Sequence, residues 1–253
     1  MKPQQRRHLI LAELRALQSE LSVEELAKKF NVSTLTVRRD LDYLEKNGVV
    51  LRTHGGCVLQ NALESAYNRR IALNFQLKQA IGRAAAREVK SGDTIMITDG
   101  STTFHLARHL GHIDRLSVFT NSMPIISELG RFVGMRLFIL GGEYSPKMHI
   151  IGGSLMQQNL KTLHFDSIFA GTEAIDEQGR CLVSDPDRSC LAQAVLARGR
   201  HRILLADHTK VGAKGHAIYA TLDDFDVWYT TAGISPAQLR RYRQQTSVQV
   251  VRA

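Results

Sequence analysis

Cysteine is scarce in this chain. Cys57, Cys181 and Cys190 are the whole complement of 253 residues. Their number is odd and no Cys-x-x-Cys spacing occurs. That excludes a disulfide framework and points to a reducing compartment, the cytoplasm. Long apolar runs are missing as well. No segment approaches the ~20 residues that cross a bilayer. The opening M-K-P-Q-Q-R-R-H leads into a stretch carrying Glu13, Arg15 and Glu20, without the apolar core of a signal peptide. No membrane partner is expected. Internal repeats and low-complexity tracts are absent too.

What is present fits a globular protein. The chain exceeds the usual single-domain length, so two domains are expected. A hydrophobic share of 43% supports a sizeable core, and a net charge of +9 favours an anionic partner. That charge is spread out. Residues 1–56 hold 10 Lys and Arg against 7 Asp and Glu, or +3, and residues 57–253 hold 23 against 17, or +6. Net charge therefore does not mark out one binding face.

The patterning from Ser33 to Gly56 does. Ser33 suits a helix N-cap. Val37, Leu41 and Leu44 recur at helical spacing and form one apolar stripe. Thr36, Arg39 and Tyr43 fall opposite it, with Arg38 on the flank. Hydroxyls and guanidiniums on such a face suit a DNA major groove, where arginine reads guanine and threonine meets bases or phosphates. Asn47-Gly48 is expected to end the helix through a left-handed conformation. Val49–Thr53 then reads as a strand and Gly55-Gly56 as a turn, with Arg52 and His54 on a wing beside the DNA backbone. Upstream, residues 4–18 read as a helix with Leu9, Ile10, Leu14 and Leu17 on one side. Ser22-Val-Glu-Glu25 has the capping-box pattern. Together these make a winged helix-turn-helix, although helical period alone would equally allow a protein-binding helical hairpin.

The segment V-S-T-L-T-V-R-R-D-L-D-Y-L-E-K-N-G-V-V-L-R-T-H-G-G resembles the N-terminal signature of the DeoR family of bacterial transcriptional regulators. The resemblance implies a double-stranded DNA operator as partner and a C-terminal domain that senses sugar phosphates or related metabolites. It also implies that Thr34, Thr36, Arg38 and Arg39 face DNA, beside Ser33, Arg52 and His54. The expected domains are a DNA-binding head over 1–58, a linker over 59–74, and an effector-binding, oligomerising domain over 75–253.

Beyond residue 75 short apolar runs alternate with helical stretches. Strands are expected at 94–98, 116–120, 136–140, 166–170, 202–206, 226–230 and 248–251. Helices are expected at 75–90, 102–110, 124–132 and 189–198. That alternation indicates an α/β fold, a mostly parallel sheet covered on both faces, with ligands beyond the carboxyl ends of its strands. Those ends are polar. Asp99, Gly100, Ser101, Thr102 and Thr103 open a helix and form a ready anion site. Asn121 and Ser122 follow the next strand, and Gly141-Gly142 the one after. Lys210, in D-H-T-K-V-G, supplies a cation for phosphate. The effector-binding set is thus Asp99, Gly100, Ser101, Thr102, Thr103, Asn121, Gly141, Gly142 and Lys210.

These loops are also similar to the DeoR effector domain, whose fold resembles sugar-phosphate isomerases. The likeness implies a repressor of a carbohydrate-utilisation operon, released by a sugar phosphate and working as a dimer or larger homo-oligomer. The chain departs from the family pattern at Glu173, Arg188, Ala192, Gln193 and Thr209. A rival reading is an isomerase-like enzyme with a DNA-binding head, disfavoured because the residues around Arg188 lack an acid–base set. No cofactor is expected. His105, His109 and His112 form H-x-x-x-H-x-x-H, and 105 and 109 would share a helix face, but without a further ligand a solvated face is the expectation rather than a metal site. A proline turn is expected at Asp185-Pro186-Asp187, and a solvated face at Arg240–Arg243.

Overall fold

The computed structural model describes residues 2–17, 21–47, 49–53, 55–59, 65–146 and 148–252. His54 and Gly48 lie outside them. The chain divides into two compact units, Met1–Arg69 and Arg70–Ala253.

In the first unit α1 (Pro3–Leu17) is followed by β1 (Leu21–Ser22), α2 (Val23–Phe30), α3 (Thr34–Lys46), β2 (Val50–Arg52) and β3 (Gly56–Leu59). The helix starts are set locally. Ser22 accepts the Glu25 N–H while the Glu25 carboxylate accepts from Ser22, a complete capping box. Ser33 caps α3 by accepting the Thr36 N–H at 3.2 Å. The strands form an antiparallel sheet in the order β1-β3-β2. Ile10, Leu14, Leu26, Val37, Leu41 and Leu44 bury one shared core beneath it. The end of α3 differs from expectation. Asn47 sits at φ −89°, outside the left-handed region. Its side-chain amide and its backbone N–H both donate to the Tyr43 carbonyl, at 2.7 and 3.2 Å.

The expected linker contains a helix, α4 (Ser65–Ala72), a stretch with neither glycine nor proline to break it. The second unit continues with α5 (Phe75–Ala85), β4 (Thr94–Ile97), α6 (Ser101–Ala107), β5 (Ser117–Thr120), α7 (Met123–Leu129) and β6 (Arg136–Ile139). A hairpin of β7 (Glu143–Ser145) and β8 (Ile150–Gly152) leads to α8 (Gly153–Leu160) and β9 (Phe165–Gly171). Then come β10 (Ala174–Ile175), β11 (Arg180–Val183), α9 (Pro186–Leu196), β12 (Gly199–Leu205), β13 (Ala217–Thr221), β14 (Val227–Thr231), α10 (Pro236–Tyr242) and β15 (Ser247–Val251).

Seven strands make one sheet in the order β15-β14-β12-β9-β4-β5-β6, and every pairing in it is parallel. Both faces are covered. Met96, Ile168, Leu204 and Trp228 enter one core, while their neighbours Ile95, Ile97, Phe169, Ile203 and Tyr229 enter the other. Burial on both faces is why these strands read as continuous apolar runs rather than alternating ones. The chain starts at β4 and runs through β5 and β6 to one edge. It then crosses back to β9 and proceeds the other way. The carboxyl ends of β4 and β9 therefore flank a topological switch point, where doubly wound sheets open a crevice. A small antiparallel sheet, β10-β11-β13, stands beside it. Neither that sheet nor the β7–β8 hairpin was expected, since their strands are 2 to 5 residues long and carry no clear period.

Candidate functional site

The first unit offers the exposed face of α3. Thr34, Arg38 and Arg39 are exposed. Ser33 and Thr36 are engaged with each other, hydroxyl to hydroxyl at 2.9 Å, so they shape the helix start. Arg52 ends β2, the wing strand, as expected. Its Nη1 donates to Asp42 at 2.8 Å and to the Arg38 carbonyl at 3.4 Å, because an acidic partner on α3 lies within its reach. Sequence reading missed Asp40, which is buried on the same helix and held by Arg6 and Arg7. Arg7 also lies 3.7 Å above the Tyr43 ring.

In the second unit the switch-point crevice gathers most of the expected effector residues. Asp99, Gly100, Ser101, Thr102 and Lys210 line one small crevice together with Arg70, Gly171, Thr172, Glu173, Val183 and Arg188. The sheet order explains Lys210: β12 lies one strand beyond β9, which borders β4. Gly100 shapes the loop. It sits at φ +156° and ψ 152°, a region that side chains avoid. Asn121 follows β5, the other neighbour of β4. It lines a small adjoining cavity with Thr98, Asp99, Ala170, Arg188, Leu191 and Tyr219.

Four expectations need correction. Thr103 is fully buried, and its hydroxyl closes the first turn of α6 by donating to the Gly100 carbonyl at 3.0 Å. Gly141 and Gly142 line neither cavity, because β6 is the sheet edge, two strands from β4. At Gly142 a Cβ would come 2.1 Å from the Gly152 carbonyl oxygen, so its glycine serves hairpin packing. The histidines do not form a solvated helix face. The α6 helix ends at Ala107, before His109, and His105 is fully buried rather than solvated. Its ring lies edge-on to Phe75 and Phe104, and burial pushes its pKa down to about 4. The proline turn is likewise a helix start, for Asp185 caps α9. In the last helix Tyr242 is buried, between exposed Arg241 and Arg243.

The residue that sequence reading noted only as a departure proves central. Arg188, near the start of α9, donates to Asp99 at 2.7 Å and to Glu173. Burial alone would lower its pKa, but the two carboxylates outweigh that and raise it. Burial works to raise Glu173, and the Arg188 charge and hydrogen bond hold it below the ordinary carboxylate range. Glu173 also accepts the Ser184 N–H at 2.7 Å. Two separate loops thus meet on one guanidinium carried by α9. A departure from the family pattern was the one available signal, since the partners lie 89 and 15 positions away in sequence.

A winged helix-turn-helix and a parallel α/β unit with a polar crevice at its switch point, in one chain, define a DNA-binding protein with its own ligand sensor. Comparison with known proteins gives the family. The DeoR-like helix-turn-helix domain matches residues 6–62, and the DeoR C-terminal sensor domain matches residues 73–232. The chain belongs to the DeoR family: it is a DNA-binding transcriptional regulator with a small-molecule sensor domain, not an enzyme. An uncharacterized HTH-type transcriptional regulator of Bacillus subtilis, YulB, is 32% identical over 91% of this chain and 90% of its own length. The lactose phosphotransferase system repressor of Lactococcus lactis is 31% identical over 90% and 91%. The glycerol-3-phosphate regulon repressor of Escherichia coli is 29% identical over 90% and 91%. Among solved structures, ribose 5-phosphate isomerase A from Neisseria gonorrhoeae aligns at a TM-score of 0.37 and 16% identity, over 54% of this chain and 53% of that one. Among the described residues no helix is long and apolar enough to cross a membrane.

Proposed function

We propose that this regulator represses a carbohydrate-utilisation operon and that a sugar phosphate, or a related anionic metabolite, releases it from DNA. The observation that carries the reading is the crevice beside Asp99. There Lys210 and Arg70 provide cationic side chains, and Ser101 and Thr102 lie across from them at a helix start. Phosphate is suited to such a combination of fixed N–H groups, hydroxyls and cations. Asn121 and Asp99 hold the hydroxylated part of the molecule. The names of two relatives, repressors of a lactose phosphotransferase system and of a glycerol-3-phosphate regulon, support the same chemistry.

Thr34, Arg38 and Arg39 read the operator, with Ser33 and Thr36 fixing the start of α3. One winged helix covers a short site, so the protein works as a dimer or larger homo-oligomer that reads two half-sites. The effector must bind the DNA-competent and DNA-incompetent arrangements with different affinity, since otherwise it switches nothing. The test is a titration of operator-bound protein with pentose, hexose and triose phosphates. Release by at least one of them, and by none of the unphosphorylated sugars at equal concentration, is the expected result. Light scattering on the same samples gives the mass. A single 28.3 kDa chain, with and without DNA, contradicts the oligomer.

A further inference from the structure

Among the described residues, two polar atoms in the cavity beside Asn121 have no hydrogen-bond partner. One is Arg188 Nε–H, a donor, and the other is Asn121 Oδ1, an acceptor. Asn121 is 2% exposed. Its orientation is fixed because Nδ2 donates to the Ile151 carbonyl at 2.9 Å, and a flipped amide would set oxygen against oxygen. Other polar groups lining the cavity are satisfied. Thr98 Oγ1 bonds to Gly171 N–H, and Tyr219 OH donates to the Gly171 carbonyl at 2.8 Å. A buried donor and a buried acceptor left open in one cavity call for partners from elsewhere.

We infer that Arg188 is a specificity-determining residue, and that with Asn121 it selects an effector whose end away from the phosphate carries hydroxyls rather than a carboxylate or an amine. This rests on the sugar-phosphate reading above and narrows it. A hydroxyl both donates and accepts, so it serves Asn121 Oδ1 and Arg188 Nε–H alike. A carboxylate accepts from Arg188 but meets Asn121 Oδ1 with a second acceptor and Asp99 with a like charge. An ammonium serves Asn121 and Asp99, yet leaves Arg188 Nε–H open beside a second cation. The two carboxylates already on Arg188 occupy its outer nitrogens, so no paired bond to a ligand carboxylate is available without breaking one of them. The preferred class is a phosphorylated sugar or alditol, and phosphorylated sugar acids and amino sugars are excluded.

The experiment uses the full chain and matched probes in calorimetry. Hexitol 6-phosphates are paired with hexonate 6-phosphates, and pentitol 5-phosphates with pentonate 5-phosphates, in several configurations. Inorganic phosphate and the unphosphorylated alditols and aldonates complete the set. The hydroxyl-ended member should bind about tenfold tighter or more, the fold-change that one mismatched buried polar group brings. Arg188→Lys keeps a charge for Asp99 and Glu173 but has no Nε–H, and should shrink the gap between alditol and aldonate in each pair. If that variant does not fold, the wild-type pairs decide alone. Acids binding as well as or better than alditols would overturn the inference and leave the phosphate reading intact. If neither inorganic phosphate nor any phosphorylated probe binds, the phosphate reading falls. The unphosphorylated pairs then decide on Arg188, and no preference for the alditols overturns it too.

Discussion

Asp40 and Arg6 form a buried ion pair between α3 and α1, at side-chain exposures of 2% and 7%. Arg7 donates to the second oxygen of the same carboxylate at 2.8 Å. The exposed arginines of α3 are therefore aimed by a charge on its hidden side. Removing one partner of a buried pair strands the other, which costs about 3–5 kcal/mol. Asp40→Ala should lower the unfolding midpoint of the DNA-binding unit by that order. It should weaken binding to every DNA sequence, because the helix loses its seat. Calorimetric melting of the full chain is the check, and an unchanged lower-temperature transition contradicts it.

Arg39→Ala should behave differently. Arg39 is exposed, so the fold should survive while sequence preference declines. One lost base contact is worth about 1–3 kcal/mol. A gel shift on the true operator beside a scrambled one separates the cases. Equal affinity and equal preference in mutant and wild type would remove Arg39 from the reading set.

At the sensor, Lys210→Ala and Thr102→Val each remove one group from the crevice wall. Both should need about tenfold more effector, or above, to release DNA, the cost of roughly one charge-assisted hydrogen bond. Binding to operator in effector-free buffer should stay as in wild type. Release by both variants at the wild-type effector concentration places the ligand elsewhere.

His105 gives the second unit an acid limit. Its folded pKa is about 4 against an ordinary 6.5, from burial first, opposed by the bond to the Ile71 carbonyl and reinforced by repulsion from Lys78, Arg108 and His109. The unfolded chain therefore binds the extra proton. The stability that neutral His105 permits is complete above about pH 6.5, and it declines as pH falls toward 4. The loss is on the order of 3 kcal/mol at about 1.4 kcal/mol per unit. His105→Gln should flatten that part of the stability curve. Urea unfolding at pH 7.5, 6 and 4.5 measures it, and identical slopes for both proteins would sink the argument.

The features legible in sequence were those fixed by near neighbours. The Ser22–Glu25 capping box and the Ser33 cap span three residues, and both appeared as expected. Strands β4, β9, β12 and β14 were visible because burial on both faces leaves unbroken apolar runs. What sequence could not supply was strand order. Without it nothing tells that β9 lies between the loops of Asp99 and Lys210, or that β6, with Gly141 and Gly142, is stranded at the edge. Thr103 was misread for a related reason. Residue type marks a hydroxyl as a donor, but only packing decides whether it faces a ligand or its own helix. Arg188 shows the same limit, since a charge is read through partners brought together by folding.

The three cysteines have a practical use. Cys57 and Cys181 are buried, and Cys190 is exposed. Burial also pushes the Cys181 thiol up, far from its reactive form. A thiol-reactive dye added to the native protein should therefore settle on Cys190 alone, two positions along α9 from Arg188. Without any engineering, the wild-type chain carries an attachment point for a fluorescent reporter beside its own sensor, and ligand screening can proceed before the operator is known.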